Sequence, residues 1–107
     1  MQLAKKHTVF VLLGSLGEKV GHPKKVFNTS ILINNRGKII AKYRKMHLFD
    51  AMIGRKKVRE SKLLLAGKKK VVAQIQNFKI GLSICYDLRF SELYQQYAKS
   101  SVDVLCV

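Results

Sequence analysis

Lys79-Ile80-Gly81-Leu82-Ser83-Ile84-Cys85-Tyr86-Asp87, running on into Leu88-Arg89-Phe90-Ser91-Glu92-Leu93-Tyr94-Gln95-Gln96-Tyr97-Ala98, contains a change of period. Up to Cys85 the spacing is two, so residues 79–85 are predicted to form a strand. Ile80, Leu82 and Ile84 fall on one side, where large side chains can fill a core. Gly81, Ser83 and Cys85 fall on the other, where small ones let another element come close. After Asp87 the spacing becomes helical, with Leu93 and Tyr97, and Tyr94 and Ala98, four apart. Residues 102–107 are apolar again and predict a last strand. A strand–helix–strand unit joined to earlier strands indicates an α/β fold with a mixed sheet.

Working back toward the N-terminus, residues 71–78 read as the strand before this unit. Residues 46–70 show no clear period and are expected to be a long loop with short helical turns, of the kind that usually carries function. Residues 27–34 and 38–44 read as a hairpin across Asn34-Asn35-Arg36-Gly37. In its second strand Ile39, Ala41, Tyr43 and Lys45 share one side. Residues 14–25, with three glycines and the only proline, are expected to be a basic loop. Residues 8–13 form a continuous apolar run ending at Gly14, the mark of a strand buried on both faces. Residues 3–7 read as the tail of a helix.

At 107 residues with 48% apolar content, the chain suits one small globular domain. No apolar run approaches the roughly 18–20 residues of a membrane span, and no signal peptide is visible, so a cytoplasmic location is expected. Two cysteines do not make a disulfide framework, and neither sits at metal-ligand spacing. The net charge of +15, from 21 Lys and Arg against six acids, would attract polyanions. Its short runs at Lys24-Lys25, Arg55-Lys56-Lys57 and Lys68-Lys69-Lys70 do not interleave with aromatics as a base-stacking platform would. A solvated basic surface is favoured over a nucleic-acid module.

Cys85 stands at a strand end before a turn and a helix. There a nucleophile is held rigidly yet faces a pocket, and the helix dipole points toward the sulfur. A buried structural cysteine is the competing reading, and it is the one that suits Cys106. The Gly81-Leu82-Ser83-Ile84-Cys85 stretch lacks the second glycine of a serine-hydrolase elbow, and Ser83 lies inside the strand. His47 is read as structural, since nothing else supplies a cysteine-protease pattern. His7 and His22 read as surface residues.

Three segments together carry a resemblance. Tyr43-Arg44-Lys45-Met46-His47-Leu48-Phe49-Asp50 resembles the YRKxHLFD segment of nitrilase-superfamily amidases. The stretch from Gly81 to Tyr94 is similar to their GLxICYDLRFPELY segment, and Arg59-Glu60-Ser61 resembles the xES element between them. The order and spacing match over essentially the whole chain. The likeness is to the ω-amidase and deaminated-glutathione-amidase branch of these carbon–nitrogen hydrolases.

The resemblance implies an αββα sandwich with a mixed β-sheet, of which residues 1–107 would be a partial domain, truncated at both ends. It also implies a Glu–Lys–Cys triad. Cys85 would be the nucleophile and Lys45 the triad lysine, with Glu60 supporting the lysine and the substrate. The backbone N–H of Tyr86 would join Lys45 in the oxyanion hole, and Arg89 could bind a substrate carboxylate or pair with a nearby acid. A small amide would acylate Cys85, release ammonia or an amine, and then be freed by water. An ammonium about 4 Å from a developing negative charge contributes roughly 4 kcal/mol at an effective dielectric of 20. No cofactor or metal is implied. Homo-oligomers, or association through bare sheet surface, are expected.

The family's general-base glutamate would come from a segment preceding Leu3. The acids present are Glu18, Asp50, Glu60, Asp87, Glu92 and Asp103. Glu18 has no family motif around it, and Asp87 and Glu92 are read as turn and helix-start residues. Ser91 stands where the family has proline and is expected to cap the helix. The chain by itself is therefore expected to be weakly active or inactive. A non-catalytic remnant of a split gene stays open as the alternative.

Overall fold

A computed structural model describes residues 1–107. Helix α1 (Gln2–His7) leads into β1 (Val11–Lys19), and β1 pairs antiparallel with β2 (Val26–Ile33). The pairing steps from Leu13–Ile31 to Leu16–Thr29, which leaves one extra residue in β1 around Gly14 and Ser15. Gly14 therefore does not end the strand, as its sequence suggested. It sits in a bulge, and pairing resumes as far as Lys19. Nor is β1 buried on both faces. It is an edge strand with Leu12 and Leu16 both exposed.

The turn at Asn34 closes as expected, with the Asn34 side-chain oxygen accepting from the backbone N–H of Arg36 and Lys38. Strand β3 (Ile39–Arg44) returns antiparallel to β2. Its register slips by one between the pairs Leu32–Ala41 and Ile33–Ile39, leaving Ile40 unpaired. A one-residue slip reverses the phase of the pleat. Tyr43 and Lys45, expected to share one side, are both buried, while Ile39, beyond the slip, is exposed.

Residues 46–70 are more ordered than their sequence implied. Strands β4 (Asp50–Ile53) and β5 (Lys56–Arg59) form a hairpin over Gly54-Arg55, followed by a 3-10 turn at Glu60–Lys62. Strand β6 (Leu64–Leu65) then runs parallel to Val26 and Phe27 of β2, extending the line of β3. This hairpin has mostly exposed side chains on both faces, so no apolar alternation announces it.

Strands β7 (Val72–Ile75), β8 (Phe78–Leu82) and β9 (Val104–Cys106) form the second main sheet. β7 and β8 pair antiparallel around Gln76-Asn77, two residues earlier than predicted. β8 and β9 are parallel, connected through α2 (Ser91–Lys99). Leu82 and Ile84 pack against Tyr43 of β3, and this small core ties the two sheets together. The opposite side of β8 behaves as its small residues predict. A Cβ on Gly81 would lie 3.0 Å from the Tyr97 ring, so glycine lets α2 lie close. Leu93 and Tyr97 are the buried pair of that helix. Phe90, not Ser91, is the N-cap of α2, and no side chain caps it, so the expected serine cap is absent.

Candidate active site

Cys85 does not continue the pleat of β8. It opens a 3-10 turn, Cys85–Arg89, with φ of 48°, and is exposed. A side-chain-bearing residue in the left-handed region costs roughly 1–2 kcal/mol and persists only where its surroundings hold it. The hold here is a reciprocal pair of bonds across the turn. The Ile84 N–H donates to Asp87 Oδ2 at 2.9 Å, and the Asp87 N–H donates to the Ile84 carbonyl at 3.1 Å. Cys85 and Tyr86 are enclosed between them. The expected turn is this 3-10 element, and the expected helix, α2, follows it from Ser91.

Behind the turn, Ser83 donates from Oγ to the Cys106 carbonyl at 2.8 Å and accepts from the Tyr94 hydroxyl at 2.9 Å. Tyr97 is fully buried and donates its hydroxyl to the Leu82 carbonyl. Burial raises the pKa of Tyr97, so it remains a donor. Cys106 is half-buried, and burial pushes its thiol upward as well, in keeping with a structural role.

Lys45 follows β3 and is 1% exposed. A lysine so buried needs a partner, and its Nζ lies 2.7 Å from Glu60 Oε2. The same oxygen accepts the Phe49 N–H at 2.9 Å, so Glu60 fastens both ends of the 45–49 segment. Glu60 and Cys85 line one cavity of about 650 Å³ with Phe49, Tyr86, Leu88 and Arg89. Arg89 is exposed and forms no ion pair with the acids of these residues.

Asp87 is the turn residue expected, and it is also fully buried. Besides Ile84, it accepts from the Tyr43 hydroxyl at 2.6 Å, the His47 N–H at 2.9 Å and His47 Nδ1 at 2.7 Å. Burial, and then the adjacent Asp87 carboxylate, push the Tyr43 hydroxyl far above the usual phenol range, so it serves as a donor. His47 stacks on Phe90 at 3.8 Å between ring centroids, and Tyr86 packs edge-on against both Phe49 and Phe90. One usable signal was in the sequence. An acid flanked by apolar residues in one motif and a histidine in the other are natural partners for each other.

Glu18, expected in a loop, lies within β1 and faces cations. It accepts from Arg44 Nε at 2.8 Å and Nη2 at 2.9 Å, from Lys42 at 2.8 Å and from Thr29 at 2.8 Å. Arg44 holds its carboxyl well below the usual carboxylate range. Asp50 accepts from Ser61, and Asp103 from the Lys79 N–H. Of the six acids, only Glu92 has no hydrogen-bonding or ionic partner. A separate cavity of about 490 Å³ beside Phe27, Lys42, Arg44, Lys68 and Lys69 holds none of the candidate residues.

The arrangement is that of a cysteine on a tight turn sharing a cavity with Glu60, whose carboxylate is paired with the buried Lys45. The family description "Carbon-nitrogen hydrolase" matches residues 1–107, and the chain belongs to that family. It is 42% identical over 109 residues to a deaminated glutathione amidase of Dictyostelium discoideum, covering 98% of this chain and 38% of that protein. It is 36% identical over 105 residues to the human omega-amidase NIT2, covering 97% and 37%. The C. elegans NitFhit protein structure superposes with a TM-score of 0.88 at 36% identity, covering 97% of this chain and 26% of that one. The fold is thus the mixed α/β arrangement of the nitrilase superfamily. The chain spans about a third of the length of the curated relatives it matches.

Proposed function

We propose that this chain carries the acylation machinery of an amidase that cleaves linear, non-peptide C–N bonds. The Cys85 sulfur attacks the amide carbonyl, and the tetrahedral oxyanion is met by the Lys45 ammonium and the Tyr86 N–H. Collapse forms a thioester on Cys85 and expels ammonia or an amine, the proton of the Cys85 thiol passing to the leaving nitrogen through the general base, and water then releases the acid. Glu60 holds the ammonium in place. The observation that carries this reading is the Lys45–Glu60 pair, whose acid shares a cavity with a cysteine held at positive φ.

Arg89, free of acid partners at the same cavity, is assigned to a carboxylate on the substrate. Monoamides of short dicarboxylic acids, the class suggested by relatives named omega-amidase, are therefore the first compounds to test. Five of the six acids are committed to other contacts and the sixth, Glu92, does not line the Cys85 cavity, so we assign the general base to a glutamate outside these residues. On that assignment the 107-residue chain acylates slowly and turns over poorly. We further propose a cytoplasmic location; no helix here is long and apolar enough to cross a membrane. Leu12, Leu16, Leu105 and Val107 leave apolar sheet surface exposed, and we assign that surface to association with further copies or further polypeptide.

The test is intact-mass analysis after incubation with glutaric and succinic monoamides. The expected product is an acyl adduct on Cys85 that is lost in Cys85→Ala and strongly reduced in Lys45→Met. A chain that never acylates, with the cysteine accessible and the fold intact, returns the reading to a non-catalytic remnant.

A further inference from the structure

The residues on either side of Lys45 and the residues on either side of Cys85 meet at one carboxylate. Asp87 Oδ1 takes both bonds from His47, two residues after the lysine. Oδ2 takes the Tyr43 hydroxyl, two residues before it, and the Ile84 N–H, immediately before the cysteine. Asp87 itself lies two residues after Cys85. From this geometry we infer that Asp87 is a positioning residue, a single staple that sets the distance and bearing between the Lys45 ammonium and the Cys85 sulfur. The inference rests on the reading of those two groups as partners in acyl transfer.

Three physical points support it. Every donor is aimed at a carboxylate that is fully buried, so water cannot replace a lost partner without opening the core. The donors belong to segments about 40 residues apart, and no other hydrogen bond joins the 43–47 segment to the Cys85 turn. The contacts that flank the staple are rings, with His47 on Phe90 and Phe49 on Tyr86, which resist separation but leave sliding open. A directional fastener is what such a stack lacks. The Ile84–Asp87 bonds also hold the left-handed turn that turns Cys85 out of the pleat.

The experiment is the rate of carbamidomethylation of Cys85 by iodoacetamide, followed by peptide mass spectrometry across mildly acidic to mildly alkaline pH. Cys106 in the same chain is the internal reference. Lys45→Met tests the underlying reading and should lower the Cys85-to-Cys106 ratio at neutral pH. Asp87→Asn should lower it in the same direction, by about tenfold, the size of one lost charge-assisted hydrogen bond. Combined with Lys45→Met it should add little, because both act through one ammonium.

If Lys45→Met changes nothing, the reading of the pair fails and the staple fails with it. If Lys45→Met acts and a folded Asp87→Asn does not, or if the two effects simply add, the staple alone is overturned. Should Asp87→Asn not fold, Tyr43→Phe and His47→Gln remove one donor from each oxygen. A smaller fall confined to Cys85 supports the inference, and an equal change at both cysteines overturns it.

Discussion

The two faces of β3 meet carboxylates in opposite ways. Outward, Lys42 and Arg44 converge on Glu18, with Arg44 also lying 4.3 Å above the Phe27 ring. Inward, Tyr43 reaches Asp87, and Lys45, just past the strand end, reaches Glu60. The outer cluster is partly wet and is built from cations, of which the chain has many. Asp87, on the inner side, is dry and takes hydroxyl, imidazole and backbone donors. Where water screens charge, an approximate partner is enough. Where it is excluded, each lone pair needs its own donor, so the partners become specific. The same alternation of side chains thus separates a structural brace from the candidate chemistry.

Breaking the inner side should cost most. Asp87→Ala strands the Tyr43 hydroxyl and the Ile84 and His47 N–H groups, at a cost of about 3 kcal/mol or more. For a core this small, the expected outcome is loss of a cooperative urea transition by circular dichroism. An Asp87→Ala chain as stable as its parent would erase the contrast between the two faces. Gly81→Ala comes next. Its methyl meets the Tyr97 ring at 3.0 Å and should cost about 2 kcal/mol through displaced helix packing, seen as a lower urea midpoint with an unchanged slope.

The outer side should yield less. Glu18→Gln is expected to cost about 1 kcal/mol, and the loss should shrink as salt is added. Its pH dependence has a definite sign. The folded-state pKa lies below the unfolded value, so Glu18 stabilises fully above the ordinary glutamate value, about 4.3, and that contribution is lost as pH falls. An acid titration of stability should therefore fall more steeply for the parent than for Glu18→Gln. A parallel pair of curves would remove Glu18 from the account. Met52→Gln, on the exposed β4–β5 hairpin, should move stability by less than about 0.5 kcal/mol and serves as the reference.

Much of the frame was legible from residues alone. The 27–44 hairpin, the helix after Asp87 and the parallel strand beyond it all follow from short-range periodicity. So does the shared side of Tyr43 and Lys45, because no register slip intervenes between them. The misreadings have local causes too. Bulges at Gly14-Ser15 and Ile40 insert a residue without changing composition. The β4–β5 hairpin is exposed on both faces, so it leaves no apolar signature. The candidate site divides in the same way. Cys85, Lys45 and Glu60 are marked by motif likeness, whereas Asp87 adds to its local turn role an acceptor role that depends on donors 40 residues away.

By itself, the sequence determined which residues alternate, where the helix lies, and that an acid, a lysine and a cysteine recur in a familiar order, since these depend on neighbours within a few positions. What the packing alone settled is that Glu18 belongs to the opposite face from the candidate site, and that one buried carboxylate joins two distant segments. Such pairings follow from how two sheets close over Tyr43, Leu82 and Ile84, where exclusion of water makes each polar partner obligatory. No periodicity along the chain encodes that closure.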